Sequence, residues 1–204
     1  MDLEIAVTLT ALLAALWLRP WRMLRDGALI TPMLGSLVML SWLWSLPFAH
    51  HMPIQLHWSG APLATLMLGW PLATLTLVGV GILTYVLSPA SPEAVMTLIC
   101  WQGLVPATFT LLLGAVLRRW VPHHPFVYVL GRGFLGSVIS IFIASLIAQW
   151  TGHELPNVSS GLSLVGFWLM AWGDAFITGM LCAIFVAFRP QWLATWSDEM
   201  YLKQ

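Results

Sequence analysis

Residues 60–87 read GAPLATLMLGWPLATLTLVGVGILTYVL, an apolar stretch without a charged side chain. A helix that crosses a bilayer needs about 20 apolar residues, so this stretch is longer than one crossing requires. Its middle holds Gly69-Trp70-Pro71, and proline both removes a backbone donor and disfavours helix in the residue before it. We therefore predict two half-length elements, 62–69 and 71–87. One long helix that is kinked and tilted is the alternative.

The chain as a whole has the composition of a membrane protein. Of its 204 residues, 59% are hydrophobic and only 8% are charged, whereas a soluble domain carries about 25% charged residues. Four more apolar runs are long enough to cross a bilayer, at 28–48, 95–117, 126–150 and 162–188. We expect an all-α polytopic membrane protein in which 1–204 form a single transmembrane domain. The formal net charge of zero gives no reason to expect a nucleic-acid partner.

Basic residues set the expected topology, because cytoplasmic loops collect Lys and Arg. Stretch 4–18 is a short first span, and the acidic Asp2 and Glu4 stand where a signal peptide would carry basic residues. If 60–87 counts as two short crossings or a re-entrant hairpin, every basic cluster falls on the cytoplasmic side: Arg19, Arg22, Arg25, Arg118, Arg119, Arg189 and Lys203. The sequence thus predicts about six to seven transmembrane segments, including this broken or re-entrant pair. The N-terminus is expected outside and the C-terminus in the cytoplasm.

A histidine-rich segment lies in the predicted outer loop 49–59. His50, His51, Met52 and His57 place three imidazoles and a thioether within eight residues. Imidazole suits nickel, cobalt, copper and zinc, and a thioether favours Cu(I). The sequence therefore makes these four residues candidate metal ligands. The alternative is an interfacial loop whose histidines face water or lipid headgroups.

Two ionisable residues fall inside predicted spans, where charge is costly and commonly marks function. Arg132 lies near the start of span 126–150, and Asp174 lies near the middle of span 162–188. Mutual pairing would offset the desolvation of both charges, although Arg132 is expected nearer the cytoplasmic side. The open interpretations are a structural pair or a snorkelling arginine, a role in transport, and an arginine that docks a cytoplasmic partner helix.

Several short motifs resemble those of a known family. LHWSGAPL at 56–63 and LGWP at 68–71 resemble motifs of the CbiM/NikM family, the membrane components of energy-coupling factor (ECF) transporters for cobalt and nickel. Gly173-Asp174-Ala175, followed by ITG at 177–179, resembles the late Gly-Glu-Ala motif of that family, with Asp in place of Glu. RPQW at 189–192 is similar to the family's ending, and GRGF at 131–134 resembles an uncharacterised permease branch of the superfamily.

The resemblance extends over most of 53–192 and implies seven helices in the inner membrane of a bacterial cell, with the N-terminus outside. It also implies two kinds of partner besides the lipid bilayer, namely an ECF coupling subunit and ATPase subunits. Metal-transporting members begin Met-His, and that amine and histidine form a metal site with a later histidine. This chain begins Met1-Asp2-Leu3, and His57 matches only the later histidine. Either His50, His51 or Met52 takes the missing place, or this branch binds a different solute.

The function expected from these observations is a substrate-binding, S-component-like membrane subunit of an ECF-type transporter for a small solute. A transition metal ion such as cobalt, nickel or copper is a candidate substrate, and no tightly bound cofactor is expected. The sequence holds no Walker motif, so ATP-driven motion would come from partner subunits. The alternative is a membrane scaffold or assembly factor for a metalloenzyme or haem enzyme. We do not expect an enzyme, because Asp174 and Arg132 alone are too few for intramembrane catalysis.

Overall fold

The computed structural model of the chain describes residues 1–50, 58–122, 124–153 and 159–201, and these contain helices and turns but no strand. Two π-helical segments, Leu98–Leu104 and Val127–Leu135, lead directly into α-helices, and short 3-10 helices lie at Pro20–Leu24 and Pro190–Trp192. The α-helices in chain order are α1 (Asp2–Trp17), α2 (Ile30–Ala49), α3 (Ala61–Leu68), α4 (Trp70–Leu87), α5 (Pro92–Thr97), α6 (Val105–Trp120), α7 (Gly136–Trp150), α8 (Ser160–Phe188) and α9 (Asp198–Tyr201).

The expected all-α membrane fold is confirmed, but fewer helices than expected are long enough to be full spans. Within the described residues, five helices are long and apolar enough to cross a bilayer: Ile30–Ala49, Trp70–Leu87, Pro92–Trp120, Val127–Trp150 and Gly161–Phe188. The expected six to seven included α1 and α3, which have only 16 and 8 residues. At a rise of 1.5 Å per residue they are about 24 and 12 Å long, short of the roughly 30 Å hydrocarbon core. Apolar composition alone overstates the count, because a full span also needs length.

The predicted break within 60–87 is confirmed. Helix α3 ends at Leu68, Gly69 has φ 72° and ψ 154°, and α4 begins at Trp70 with Pro71 in its first turn. Glycine adopts such backbone angles without strain, and a proline in the first turn of a helix needs no partner for a missing N–H. The alternative of one kinked helix is therefore wrong.

The helices α3 and α4 form a hairpin that runs down and back along the helix Pro92–Trp120. Ser59, just before α3, bonds to Gln102, whereas Trp70 at the start of α4 bonds to Thr108. Further along α4, Gly81 faces Ile99. Along the axis of the helix Pro92–Trp120, α3 therefore runs from the level of residue 102 toward that of residue 108. Helix α4 then runs in the opposite direction, back to the level of residue 99. The hairpin turn lies at Gly69.

Helix α3 forms the centre of the bundle. It packs against α2, α4, α6, α7 and α8, and seven of its eight residues are buried. Around it, α4 also packs against α1 and α2, while α7 lies between α6 and α8. Large apolar side chains on the outer helices are exposed, for example Trp42 at 56% and Ile82 at 58%, as expected of a surface that faces lipid.

Basic side chains gather at one end of the bundle, which we call the basic end. A pocket beside Thr195 is lined there by Arg118, Arg119 and Arg132. Met23, which follows Arg22 in the chain, packs on the cluster that contains Leu193 of the same C-terminal segment. The described arginines of the clusters that decided the expected topology thus lie toward one end, whereas Lys203 lies outside the described residues.

Gly69→Ala is expected to lower the free energy of unfolding by about 1–3 kcal/mol, because a side chain is strained at these backbone angles. The added Cβ would also lie 2.9 Å from the Met23 Cε atom. Gly35→Ala in α2 is the matched control, since no atom lies within 4 Å of its Cβ position. Thermal unfolding of both purified variants in detergent measures the difference. Equal melting temperatures for the two variants would contradict a strained turn at Gly69.

Candidate functional site

Asp174 lies at the middle of α8, and its carboxylate caps the N-terminus of α3. The residue is only 2% exposed. Its Oδ2 accepts the N–H of Gly60 at 2.9 Å, and its Oδ1 accepts the hydroxyl of Thr178 at 3.2 Å. Gly60 is the N-cap of α3, so the carboxylate faces the positive end of the α3 helix dipole. These contacts explain how an acidic side chain is accommodated at the centre of an apolar bundle.

Ser59 fixes the chain that leads into α3. Its hydroxyl donates to the carbonyl of Gln102, and the same oxygen accepts the N–H of Ala61. In a regular α-helix, the Gln102 carbonyl would accept the N–H of the residue four positions later, which here is Pro106 and has none. The carbonyl that proline leaves free is thus satisfied by Ser59. The π-helical turn Leu98–Leu104 contains this acceptor, and such turns are frequent at functional sites.

Trp58 and Ser59 correct the expectation that all of 49–59 is an outer loop. Ser59 is 1% exposed, and the Trp58 carbonyl accepts the indole N–H of Trp44 at 2.9 Å. Trp44 itself is fully buried, although a tryptophan near a span end is more typical of the membrane interface. The indole N–H of Trp58 is also buried and faces the Asp174 carboxylate without reaching hydrogen-bond geometry. The described end of this segment therefore lies inside the bundle, beside Asp174.

An apolar cavity of about 280 Å³ opens beside the start of α3. It lies between α2, α3 and α8, and Trp58 and Gly60 form the part of its wall next to Asp174. The rest of the wall is largely apolar and includes Met39, Leu63, Met67 and Phe185. The irregular backbone at Trp58–Gly60 thus borders a space that can hold a small solute.

Three of the four predicted metal ligands, His51, Met52 and His57, lie outside the described residues. The fourth, His50, is exposed at the C-terminal end of α2. Its Nδ1 lies 3.0 Å from the carbonyl oxygen of Leu46. Because a carbonyl oxygen can only accept, Nδ1 is the donor in this contact, and Nε2 is the ring nitrogen left to bind a metal. Within the described ranges, no group of three or more His, Cys, Asp or Glu side chains is placed to hold a metal ion.

Arg132 and Asp174 do not form the ion pair considered from the sequence. Arg132 Nη1 lies 3.4 Å from the Thr195 carbonyl and 3.4 Å from the Tyr201 hydroxyl, both at the basic end. Its guanidinium also lies 5.3 Å from the centre of the Tyr128 ring. Asp174 instead bonds to the start of α3, deeper in the bundle. The difference in depth separates the charges, and a role of either residue in transport stays a prediction.

Glu4 is a second buried carboxylate, which the sequence reasoning missed as a site residue. It is 2% exposed and lies 2.9 Å from Nε2 of His153 and 3.4 Å from the indole nitrogen of Trp101. His153 is only partly exposed and is tied to α1 by this contact. An acidic residue inside an apolar helix is a recognised signal of function. Glu4 lies so near the start of the chain that its sequence position resembles that of a charge flanking a helix.

The described residues define a class: an all-α polytopic membrane protein in which a short buried helix, capped by an intramembrane carboxylate, turns at Gly69 into a longer one. No family model matches the chain, no curated protein matches it, and no solved structure matches it. The resemblance of its motifs to ECF transporter components therefore stays a proposal.

Asp174→Ala is expected to destabilise the protein, because it leaves the Gly60 N–H and the Thr178 hydroxyl without their acceptor. Each unsatisfied buried group lowers stability by about 1–3 kcal/mol. Asp174→Asn should lose less, since its amide oxygen can still accept from Gly60. Thr178→Val is the matched control and should lose about 1 kcal/mol, because it removes one hydrogen bond only. Unfolding by denaturant in mixed micelles ranks the three variants; an Asp174→Ala protein as stable as Thr178→Val would contradict the capping role.

Proposed function

We propose that this chain is the substrate-binding, S-component-like membrane subunit of an ECF-type transporter that moves a small solute. The observation that carries the proposal is the start of α3 at Trp58–Gly60, a helix end that lies in the bundle interior and is capped by Asp174. Transporters commonly bind substrate where helices are interrupted near the middle of the membrane, because the half-helix ends offer unpaired dipoles. Ionisable groups within spans likewise mark substrate pathways. The apolar cavity beside the start of α3 supplies space for the solute.

A transition metal ion such as cobalt, nickel or copper is the substrate we favour. The histidine-rich segment runs from His50 to Trp58 in the sequence, and Trp58 lines the cavity beside the start of α3. The contact between His50 Nδ1 and the Leu46 carbonyl supports this choice, because metal-binding histidines commonly donate their other N–H to a carbonyl or carboxylate. The resemblance of 56–63 and 173–175 to the cobalt and nickel family points the same way.

Energy for transport would come from ATPase subunits through a coupling subunit. We place the chain in the inner membrane with the N-terminus outside and the C-terminus cytoplasmic, in line with the collection of arginines at the basic end. The alternative function, a scaffold for assembly of a metalloenzyme or haem enzyme, predicts a stable complex with that enzyme. Affinity purification from native membranes separates the two, because only a transporter subunit should carry ATPase subunits with it.

Metal loading tests the proposed substrate. The full chain is purified in mild detergent, incubated separately with nickel, cobalt, copper and zinc, and its bound metal is quantified by mass spectrometry. We expect near-stoichiometric binding of one of these metals, because three imidazoles and a thioether lie within eight residues. The triple variant His50→Ala, His51→Ala, His57→Ala should lose it.

A matched control keeps this result specific. His124→Ala removes an exposed histidine near the basic end and should leave metal binding unchanged. Absence of metal from the unaltered protein, or equal loss in the His124 control, would contradict a metal site in the histidine-rich segment. The proposal would then have to rest on an organic solute.

Cysteine labelling in intact cells tests the orientation. Glu93→Cys and Asp26→Cys place exposed thiols at the two ends of the bundle, while the native Cys100 and Cys182 are buried. A membrane-impermeant maleimide should label the cysteine at 93 directly and the cysteine at 26 only after the cells are permeabilised. The reverse order of labelling would show that the basic end faces outside.

A further inference from the structure

The basic end contains a pocket of about 380 Å³ that the proposed transport function does not use. Helix α6 contributes Leu111, Ala115, Arg118 and Arg119, the π-helical segment Val127–Leu135 contributes Arg132, and the C-terminal segment contributes Thr195. Three of these six lining residues are arginines, and none is acidic. The pocket therefore presents positive charge without a carboxylate in its described wall.

Arg132 is the buried centre of this charge. The residue is 6% exposed, and its Nε makes no hydrogen bond to any residue that the structure describes. Among the described residues, its Nη1 hydrogen-bonds to the neutral oxygens of Thr195 and Tyr201 alone, both at 3.4 Å, and its guanidinium lies 5.3 Å from the centre of the neutral Tyr128 ring. A buried charge with neutral partners and an unsatisfied donor is unfavourable unless an anion completes its surroundings.

Gly114 lets the Arg132 guanidinium lie directly against α6. A Cβ at this position would lie 2.6 Å from Nη2 and 3.0 Å from Nε of Arg132. Arg118 follows Gly114 by four residues and so lies on the same face of α6, one turn closer to the basic end. The close approach at Gly114 thus brings a buried guanidinium and an exposed one to the same pocket.

The wall of the pocket is apolar on the side that leads into the membrane. Leu111 is 41% exposed and Ala115 is exposed, and both lie within the membrane-spanning helix Pro92–Trp120. Trp120, at the end of that helix, is 78% exposed, as is typical of a tryptophan at the membrane interface. Charge at the interface above an apolar wall matches a molecule with an anionic head and an acyl chain.

We propose that this pocket binds the phosphate of an anionic phospholipid, with Arg132, Arg118 and Arg119 as its donors. The planar fork of a guanidinium fits phosphate oxygens in pairs, and basic pockets between spans commonly receive lipid headgroups. The acyl chain of the lipid lies along Leu111 and Ala115. The site is independent of the transported solute, because it lies at the basic end and shares no lining residue with the cavity beside Trp58.

Native mass spectrometry of the full chain in detergent tests this site. The protein is titrated with phosphatidylglycerol or with phosphatidylcholine of the same acyl chains. Phosphatidylglycerol is expected to bind about tenfold more tightly than phosphatidylcholine, because each arginine near a membrane surface favours an anionic lipid. The double variant Arg118→Gln, Arg119→Gln is expected to lose that preference. Arg25→Gln, which removes an exposed arginine outside the pocket, should keep the preference. Equal binding of the two lipids, or equal loss in the Arg25 control, would overturn the proposal.

Two further arms identify the source of the phosphate and the role of the buried arginine. Inorganic phosphate in large excess should not displace phosphatidylglycerol. If inorganic phosphate does displace it, and if phosphate binding needs the same arginines, then the ligand is a soluble phosphate and the lipid assignment is wrong. Arg132→Gln should abolish the preference as well. Because Arg132 also contacts the C-terminal segment, the exposed double variant decides the outcome if Arg132→Gln fails to fold.

Discussion

The hydrogen bond between the Gly60 N–H and the Asp174 carboxylate is the contact on which the centre of this bundle depends. Within a bilayer, backbone groups must find partners in the protein, so a chain can leave helical geometry only where such partners are built in. Here a single side chain at the middle of α8 satisfies the start of α3, and Ser59 satisfies the Gln102 carbonyl that Pro106 leaves free. The buried start of α3 is thus held by hydrogen bonds to α8 and to the helix Pro92–Trp120.

The other end of α3 is held in an equivalent way. The N–H of Ala194 donates to the Met67 carbonyl at 2.9 Å, and the Thr195 hydroxyl donates to the Leu66 carbonyl at 2.9 Å. Because that hydroxyl proton is used, the Tyr128 hydroxyl must donate to the Thr195 oxygen. A continuous series of hydrogen bonds therefore joins the buried carboxylate, through α3, to the segment that lines the arginine pocket. Movement of α3 would have to break bonds at one of its two ends.

The sequence predicted the fold class, four long spans and the break at Gly69 well, because each depends on local chemistry: apolar length in the first two cases, and glycine and proline in the third. It overestimated the number of full spans and kept two interpretations of 60–87 open. Hydropathy shows that a stretch is apolar but does not show how far it extends into the membrane. The sequence identified Asp174 and Arg132 as buried charges but not their partners. Asp174 accepts from the backbone N–H of Gly60, and Arg132 donates to the backbone carbonyl of Thr195. Backbone partners of this kind leave no pattern in the sequence. Glu4 and His153 meet only in the folded bundle, 149 positions apart in the sequence.

Hydrogen exchange of the α3 backbone, followed by mass spectrometry on peptides that cover Ala61–Leu68, tests the capping contact most directly. In the unaltered protein these amides should exchange as slowly as those of α7, because the helix is buried and both its ends are bonded. In Asp174→Ala the exchange of α3 should accelerate while that of α7 stays slow. Fast exchange of α3 in the unaltered protein, or an exchange rate that the substitution leaves unchanged, would show that Asp174 does not hold α3 in place.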